Sequence, residues 1–163
     1  RLIDCGVTPP SVVRSPPEAP YLALSYVWGQ HGNQGSIGST FKVRSAVPIE
    51  ITPRYLPKTI LDAQLVVRKL GYRYLWVDQI CINQEDPDDK QSQIEIMDKI
   101  YGGAELTIVA AAGSHNDYGL PGVSSTLRQS MQSLELDGIR IVRMPNDPSR
   151  LIRSSTWSTR AWT

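Results

Sequence analysis

The sequence contains little of what identifies metal-binding and disulfide-stabilised proteins. It has only two cysteines, Cys5 and Cys81, and two histidines, His31 and His115, among 163 residues. The cysteines are too few for a disulfide framework and too far apart for a metal-ligand motif, and the histidines add no second pair of ligands nearby. The sequence therefore predicts a protein of a reducing compartment, without a metal site.

Long apolar segments and an excess of positive charge are also missing. No apolar run approaches the roughly 20 residues that a membrane-spanning helix needs, and the first residues lack the charged, apolar and small-residue order of a signal peptide. The 17 Lys and Arg residues leave a formal net charge of +1, whereas nucleic-acid binding requires a clustered basic excess. We therefore expect a cytoplasmic protein with neither membrane nor nucleic-acid partners.

What the sequence does contain is the composition of one ordinary folded domain. Hydrophobic residues make up 40% of the chain and charged residues 20%, as in soluble globular proteins rather than disordered chains. Five prolines between residues 7 and 20 remove backbone donors and disfavour helix. Residues 1–20 are therefore predicted to be an extended lead-in, and residues 21–163 to form the domain.

Short apolar runs alternate with amphipathic segments along the domain. The strands expected from the apolar runs span residues 21–27, 74–77, 106–112 and, in a more exposed position, 139–144. Apolar residues at helical spacing predict one helix over residues 57–70 and a second over residues 87–101. Asp86 is the expected cap of the second helix.

This alternation predicts an α/β fold with a mostly parallel sheet and helices on both faces. In such sheets, ligands bind beyond the carboxyl ends of the strands. The loops after Val27, Val77 and Ala112 are therefore expected to share one rim.

The chain between the first strand and the first helix offers two further predictions. Residues 30–40 consist largely of Gly, Ser, Asn and Gln, which is typical of a mobile loop. Residues 41–43 and 49–52 flank a turn at Pro48 and favour a small β-hairpin insertion.

Several blocks of the sequence resemble the fungal heterokaryon-incompatibility (HET) domain. They occur in the family's order: ALSYVWG at 23–29, LPKTI at 56–60, YLWVDQICINQ at 74–84, MDKIY at 97–101, LTIVAA at 106–111, GLPG at 119–122 and RAWT at 160–163. Ala161 stands where the family usually has Gly. The family pattern normally continues to a Gln-Glu pair, whereas this chain stops at Thr163, so the resemblance implies a domain truncated at its C-terminal end.

The resemblance implies a programmed cell-death effector of fungal allorecognition. HET domains are similar to Toll/interleukin-receptor (TIR) domains, which have a flavodoxin-like parallel sheet and some of which hydrolyse NAD with a glutamate. One expectation is therefore that the full-length domain is an NAD glycohydrolase that takes NAD as substrate and needs no cofactor. Its acid would then be Asp78 or a glutamate beyond Thr163, and in the second case this fragment would bind NAD weakly without turnover. The alternative is a non-enzymatic adaptor that self-associates or engages other domains of the same or a partner immune receptor.

Asp78 and Trp28 are the leading candidate site residues. Asp78 directly follows a buried apolar run, where its carboxylate would face the crevice as the catalytic group or as an acceptor for ribose hydroxyls. A loop-capping aspartate is an equal alternative. Trp28 could stack on nicotinamide or adenine, although it could also plug the top of the sheet. Gly29 turns the chain beside it.

Four further residues complete the predicted ligand-binding set. Ser25 and Tyr26 end the first strand, and no histidine is placed by the sequence to activate Ser25 as a nucleophile. The Gln84 amide could serve a ligand or close its own loop, and Arg160 could hold a phosphate or pair with an acidic residue. Cys81, between two isoleucines, is interpreted as a small buried apolar group.

Overall fold

A computed structural model describes residues 1–29, 48–128, 132–143 and 147–159 of the chain. Several predictions lie outside the described residues: the loop 30–40, the hairpin strand 41–43, the end of the strand 139–144, and the block 160–163 with Arg160.

The described elements alternate along the chain. The strands are β1 (Leu2–Asp4), β2 (Ser11–Val13), β3 (Tyr21–Ser25), β4 (Ile49–Glu50), β5 (Tyr74–Trp76), β6 (Leu106–Val109), β7 (Ser133–Leu136) and β8 (Ile139–Val142). The α-helices are α1 (Lys58–Lys69), α2 (Asp78–Cys81), α3 (Pro87–Glu95), α4 (Met97–Gly102) and α5 (Pro148–Arg153). Short 3-10 turns span Pro53–Tyr55 and Thr156–Thr159. The predicted α/β class is confirmed.

The central sheet is mixed rather than mostly parallel. Its strand order is β4-β2-β1-β5-β3-β6. β3 pairs in parallel with β5 and β6, whereas the β1–β2, β1–β5 and β2–β4 pairs are antiparallel. The expectation of a mostly parallel sheet therefore holds for one side of the sheet and is wrong for the other.

The antiparallel side comes from the proline-rich N-terminal residues. The connection from β1 to β2 spans residues 5–10, which is long enough for an antiparallel return and too short for the crossover that a parallel pair needs. The prolines flank these strands instead of interrupting them, so β1 and β2 keep their backbone donors. Ile49 pairs with Val12 of β2.

The middle of the sheet forms the core. Leu22, Ala23 and Leu24 are consecutive residues of β3 and are all 0% exposed. Because successive side chains of a strand point to opposite faces, both faces of the sheet are covered at β3. Leu75 of β5 is also fully buried, between β1 and β3. Buried strands are confirmed at both predicted places, although they end at Ser25 and Trp76 rather than at residues 27 and 77.

β6 lies at the edge of the described sheet, so the prediction of a buried strand at 106–112 is wrong. Leu106 is 52% exposed and Val109 43% exposed. Among the described strands, β6 has β3 as its partner on one side and none on the other. An apolar segment favours burial, but no element of the described chain covers the exposed residues of β6.

The predicted fourth strand belongs to a separate two-stranded sheet. β8 pairs antiparallel with β7, and only Asp137 and Gly138 connect the two strands. Both turn residues have positive φ, 50° and 76°, as a type I′ hairpin turn requires. The Asp-Gly dipeptide was the sequence signal for this hairpin.

The β7–β8 hairpin has one apolar face. In its register Leu134 is opposite Ile141, and Leu136 is opposite Ile139. Residues two apart on a strand share a face, so these four side chains lie together, each between 52% and 67% exposed. The other face carries the Glu135–Arg140 pair. No described element covers the apolar face.

Helix α1 matches its prediction to within one residue at each end. Pro57 precedes it as the N-cap residue, and Gly71 follows it with φ +82°, where a left-handed residue ends helices. The residues of α1 that are buried are Thr59, Ile60, Asp62, Ala63, Gln64 and Val67. Three of these are polar, which an apolar stripe alone does not explain.

The second predicted helix is divided into α3 and α4. The Asp86 carboxylate accepts hydrogen bonds from the amides of Asp88 and Asp89, at 3.1 and 3.2 Å, which confirms the predicted cap. Ile96 interrupts the helix with φ −111° and ψ 12°, so the prediction of one continuous helix is wrong at this residue. In the described part of the chain, no helix has the length and apolar character needed to cross a membrane.

Candidate functional site

A cleft of about 370 Å³ lies beyond the carboxyl ends of β3 and β5. Its polar lining consists of Trp28, Asp78, Gln84 and Lys90, and its apolar lining of Val27, Ile82, Ile94 and Met97. The loops after Val27 and Val77 thus meet at one rim, as parallel pairing of β3 and β5 requires.

Asp78 and Trp28 are in direct contact in this cleft. The Trp28 Nε1–H group donates to both carboxylate oxygens of Asp78, at 3.2 and 3.1 Å. The backbone amide of Gln79 donates to Oδ1 of Asp78 at 2.7 Å. Asp78 is only 7% exposed, so protein donors replace much of the water that a free carboxylate would bind.

Gln84 closes the loop that follows Asp78. Its Nε2 atom donates to the backbone carbonyl of Asp78 at 3.0 Å. This bond uses one donor of the amide and leaves its other hydrogen-bonding groups for the cleft that Gln84 lines.

Ser25 and Tyr26 lie behind the cleft instead of lining it. Tyr26 is 1% exposed, and its hydroxyl donates to Oε1 of Gln79 at 2.7 Å. Ser25 Oγ accepts a hydrogen bond from Trp157 Nε1 at 2.8 Å. The structure therefore places both residues as anchors, one for the start of α2 and one for the C-terminal 3-10 turn.

Gly29 is needed where it stands. Its φ of +87° lies in the left-handed region, and a Cβ at this position would lie 2.8 Å from Cβ of His115. The turn after Trp28 therefore packs against the loop after β6, which brings the third predicted rim loop to the same end of the sheet.

Lys90 is the cleft residue that the sequence did not reveal. It is exposed on α3, and no ion pair involving it occurs among the described residues. Its position depends on how α3 packs against the core through Ile94, a long-range contact that no local pattern encodes. The described cation of this cleft is therefore Lys90, since Arg160 lies outside the described residues.

A second polar cluster joins two of the sequence blocks. The amide of Gly119 donates to Thr59 Oγ1 at 3.0 Å, and the amide of Leu120 donates to Asp62 Oδ2 at 2.9 Å. Lys58 Nζ lies 3.3 Å from the same Asp62 oxygen and contacts the Thr126 hydroxyl. The buried polar residues of α1 thus hold the loop 119–126 against the helix.

Neither cysteine offers a nucleophile. Cys5 and Cys81 are buried and unpaired. Burial raises the pKa of the Cys5 thiol to about 12 and that of the Cys81 thiol to about 11, so both are protonated at neutral pH and unreactive. The interpretation of Cys81 as a buried apolar group is confirmed. The described residues contain no group of three or more His, Cys, Asp and Glu arranged for a metal ion.

Comparison with known proteins gives two matches. A family model described as heterokaryon incompatibility protein (HET) matches residues 21–163. The chain is also 38% identical over 105 residues to heterokaryon incompatibility protein 6, OR allele, of Neurospora crassa. That alignment covers 58% of this chain and 14% of the Neurospora protein. No solved structure matches the chain.

Proposed function

The chain belongs to the heterokaryon incompatibility (HET) family, and from this membership we propose that it acts in fungal heterokaryon incompatibility as a module of a longer protein. The match to the family model over residues 21–163 carries the proposal. The name of the Neurospora relative supports it, and the chain corresponds to only 14% of that protein. Other regions of such a protein would then recognise the non-self signal, and this module would trigger cell death.

The chemistry of the module is the cleavage of NAD in the Asp78 cleft. A volume of about 370 Å³ is within the range of small-molecule sites. The cleft combines a fixed carboxylate, an indole wall and the Lys90 ammonium on an apolar lining, which suits a ligand with a planar ring, a ribose and a phosphate. NAD has all three parts.

The residues would divide the work of hydrolysis between them. A water oxygen bonds to the anomeric carbon of the ribose as the bond to the nicotinamide nitrogen breaks, and the water proton passes to solvent. The negative charge of Asp78 stabilises the positive charge that develops on the ribose. The Trp28 ring packs on nicotinamide, and Lys90 pairs with the pyrophosphate.

The strand order supports a TIR-like, flavodoxin-like relationship. The three parallel strands are arranged β5-β3-β6, so the second, first and third of them in chain order lie side by side. Flavodoxin-like sheets begin with this 2-1-3 order. The antiparallel strands β1, β2 and β4 are then an addition at one side of that arrangement.

Nicotinamide release tests the proposal. The full-length protein should release nicotinamide from NAD, and Asp78→Asn should reduce the rate by at least about tenfold, because it removes the charge and keeps the shape. Asp137→Asn, in the hairpin turn far along the chain, is the matched control and should retain activity. Undiminished release by Asp78→Asn would show that another acid does the chemistry.

Binding is measured separately on the 163-residue chain. NAD should shift the Trp28 indole N–H resonance in NMR spectra and should leave the Trp157 resonance unchanged, because Trp157 bonds to Ser25 outside the cleft lining. Failure of NAD to shift Trp28 would remove the support for a nucleotide site here.

A non-enzymatic adaptor is the second candidate, and the apolar face of the β7–β8 hairpin favours it. Four exposed aliphatic side chains on one face are suited to contact with another protein surface. Fusing the chain to a dimerising protein separates the candidates. Nicotinamide release under enforced clustering supports the enzyme, whereas cell death without NAD loss supports the adaptor.

A further inference from the structure

A second cleft, of about 500 Å³, lies at the opposite end of the sheet. It opens beside Cys5, whose amide bonds to the carbonyl of Arg73 just before β5 begins, whereas Asp78 follows the end of β5. The two clefts have no lining residue in common. A ligand in the second cleft would therefore contact none of the residues that line the first.

One stripe of α1 forms the floor of this cleft. Leu61, Gln64, Leu65 and Arg68 all line it, and their spacing of i, i+3, i+4 and i+7 places them on one helix face. Pro10 and Pro53 contribute apolar surface from the opposite wall. The cleft is thus apolar along its sides, with an amide and a guanidinium one helical turn apart.

Gln64 is the residue that points to a ligand. It is 2% exposed, and its Nε2 atom is buried without a hydrogen-bond partner. Buried polar atoms nearly always have a partner, so each exception requires an explanation, such as a water or ligand that the protein binds. The amide can also rotate to present its oxygen instead of its nitrogen, and it therefore offers either a donor or an acceptor.

Arg68 determines which charge the ligand should carry. Its side chain is exposed beside the cleft and has no ion-pair partner among the described residues. Its Cβ lies roughly 5–6 Å from that of Gln64, as for any i, i+4 pair on a helix. Asp62 also lines the cleft, but its Oδ2 atom is occupied by Lys58 and the amide of Leu120. The uncompensated charge in the cleft is therefore positive.

The geometry points to a binding site for a small organic carboxylate with a compact apolar body. The guanidinium of Arg68 pairs with the carboxylate, for which its planar fork is suited. A rotation of the Gln64 amide toward the cleft lets Nε2 donate to one carboxylate oxygen and gain the partner that it lacks. The apolar body packs between Leu61 and Leu65 on one side and the two prolines on the other. A bound water would supply a hydrogen-bond partner for Gln64 only. It would neither pair with the charge of Arg68 nor pack against the apolar walls.

Benzoate is a suitable probe, with benzamide as its uncharged counterpart. Titrated into the 163-residue chain, benzoate should shift the side-chain N–H resonances of Gln64 and Arg68 until they saturate. Benzamide should bind at least about tenfold more weakly because it cannot form the ion pair. Equal shifts with both compounds, or no shift of Gln64 with benzoate, would overturn the proposal.

Two variants distinguish binding from folding. Arg68→Gln should weaken benzoate at least about tenfold, whereas Arg150→Gln on α5 is the matched control and should leave the affinity unchanged. Gln64→Leu removes a buried donor that has no partner, so the unliganded protein should melt at the same or a higher temperature while benzoate affinity falls. Unchanged benzoate affinity in both cleft variants would show that the molecule binds elsewhere.

Discussion

The protein holds the Asp78 carboxylate by hydrogen bonds from Trp28 Nε1 and from the Gln79 amide before any ligand arrives. Trp28 and Gln79 hold the group in place at the rim of the cleft, where the proposed catalysis requires a fixed negative charge. Its loop-capping role and its proposed catalytic role are therefore compatible. The same bonds fix the position of the charge in advance, which is how an enzyme site avoids reorganisation during the reaction.

Trp28→Phe should destabilise the fold by about 1–3 kcal/mol, because a mostly buried carboxylate loses a donor. Trp157→Phe is the matched control, since its Nε1 atom donates to the neutral hydroxyl of Ser25 and its loss should cost about 0.5–1.5 kcal/mol. Urea unfolding of both variants gives the comparison. An equal or smaller cost for Trp28→Phe would mean that its bond to Asp78 contributes little.

Asp4 should make the stability of the protein depend on acidic pH. Arg73 donates to both Asp4 oxygens, at 2.9 and 2.7 Å, and with the Gly6 amide it lowers the pKa of Asp4 below its ordinary value of 3.8. Because the pKa is lower in the folded state, the stabilisation is complete above about pH 4 and disappears as the pH falls through the folded value.

The difference in unfolding free energy between the native protein and Asp4→Asn should therefore be largest at neutral pH and should shrink below about pH 4. Chemical unfolding at several pH values measures it, with Asp137→Asn as the exposed control. A difference that stays constant down to pH 2 would show that the Asp4 charge is not the cause.

At the scale of elements, the contact between α1 and the loop 119–126 explains two sequence blocks together. Thr59 and Asp62 accept the backbone amides of Gly119 and Leu120, so the polar side chains of the helix replace the partners that a buried loop would otherwise lack. The loop in turn needs a glycine at position 119, because only a glycine allows the loop to approach α1 this closely.

Gly119→Ala should cost more than the roughly 1–2 kcal/mol of a left-handed residue, because the side-chain ends of Lys58 and Asp62 would have to move. Its φ is +84°, and an added Cβ would lie 2.5 Å from Lys58 Nζ and 2.7 Å from Asp62 Oδ2. Gly138→Ala measures the cost of the left-handed backbone conformation alone, since its φ is +76° and no atom lies within 4 Å of the added Cβ. Thermal unfolding that gives equal losses for the two variants would contradict this role of Gly119.

Elements with a local signal were predictable from the sequence, and elements defined by their neighbours were not. Helix α1 has its apolar spacing, Pro57 and Gly71 within the segment itself, so its limits could be predicted. The exposure of β6 arises because none of the described strands lies on its second side, which its apolar sequence does not encode. β1 and β2 were not predicted either, because the prolines around them are typical of an irregular segment and their strand pairing depends on distant residues.

The candidate site was also predictable only in part. Asp78 and Trp28 each follow a strand, and parallel strands bring their carboxyl ends together, so the strand pattern placed both residues at one rim. Lys90 reaches the cleft because α3 packs against the core through Ile94. Its role depends on a tertiary contact that the sequence around it does not specify.

At the scale of the whole molecule, the β7–β8 hairpin should govern self-association. The double variant Leu136→Lys and Ile139→Lys should shift the protein toward monomer in sedimentation experiments, because it places charge on the exposed apolar face. Its melting temperature should change little, since both residues are more than half exposed.

Ser133→Lys adds the same kind of charge on the opposite face of the hairpin and is the control for net charge. It should leave association unchanged. If Ser133→Lys and the double variant dissociate the protein equally, net charge rather than the apolar face controls association.

The position of β3 also sets the order in which a nascent chain can fold. β3 pairs with β6 through Leu22 and Leu106, which are about 80 residues apart in the sequence. At about 5–20 residues per second, a ribosome needs on the order of ten seconds to make that interval. During this time β3, whose residues 22–24 are fully buried in the folded protein, lacks its partner on one side, so a growing chain presents β3 to chaperones until residue 109 has left the ribosome.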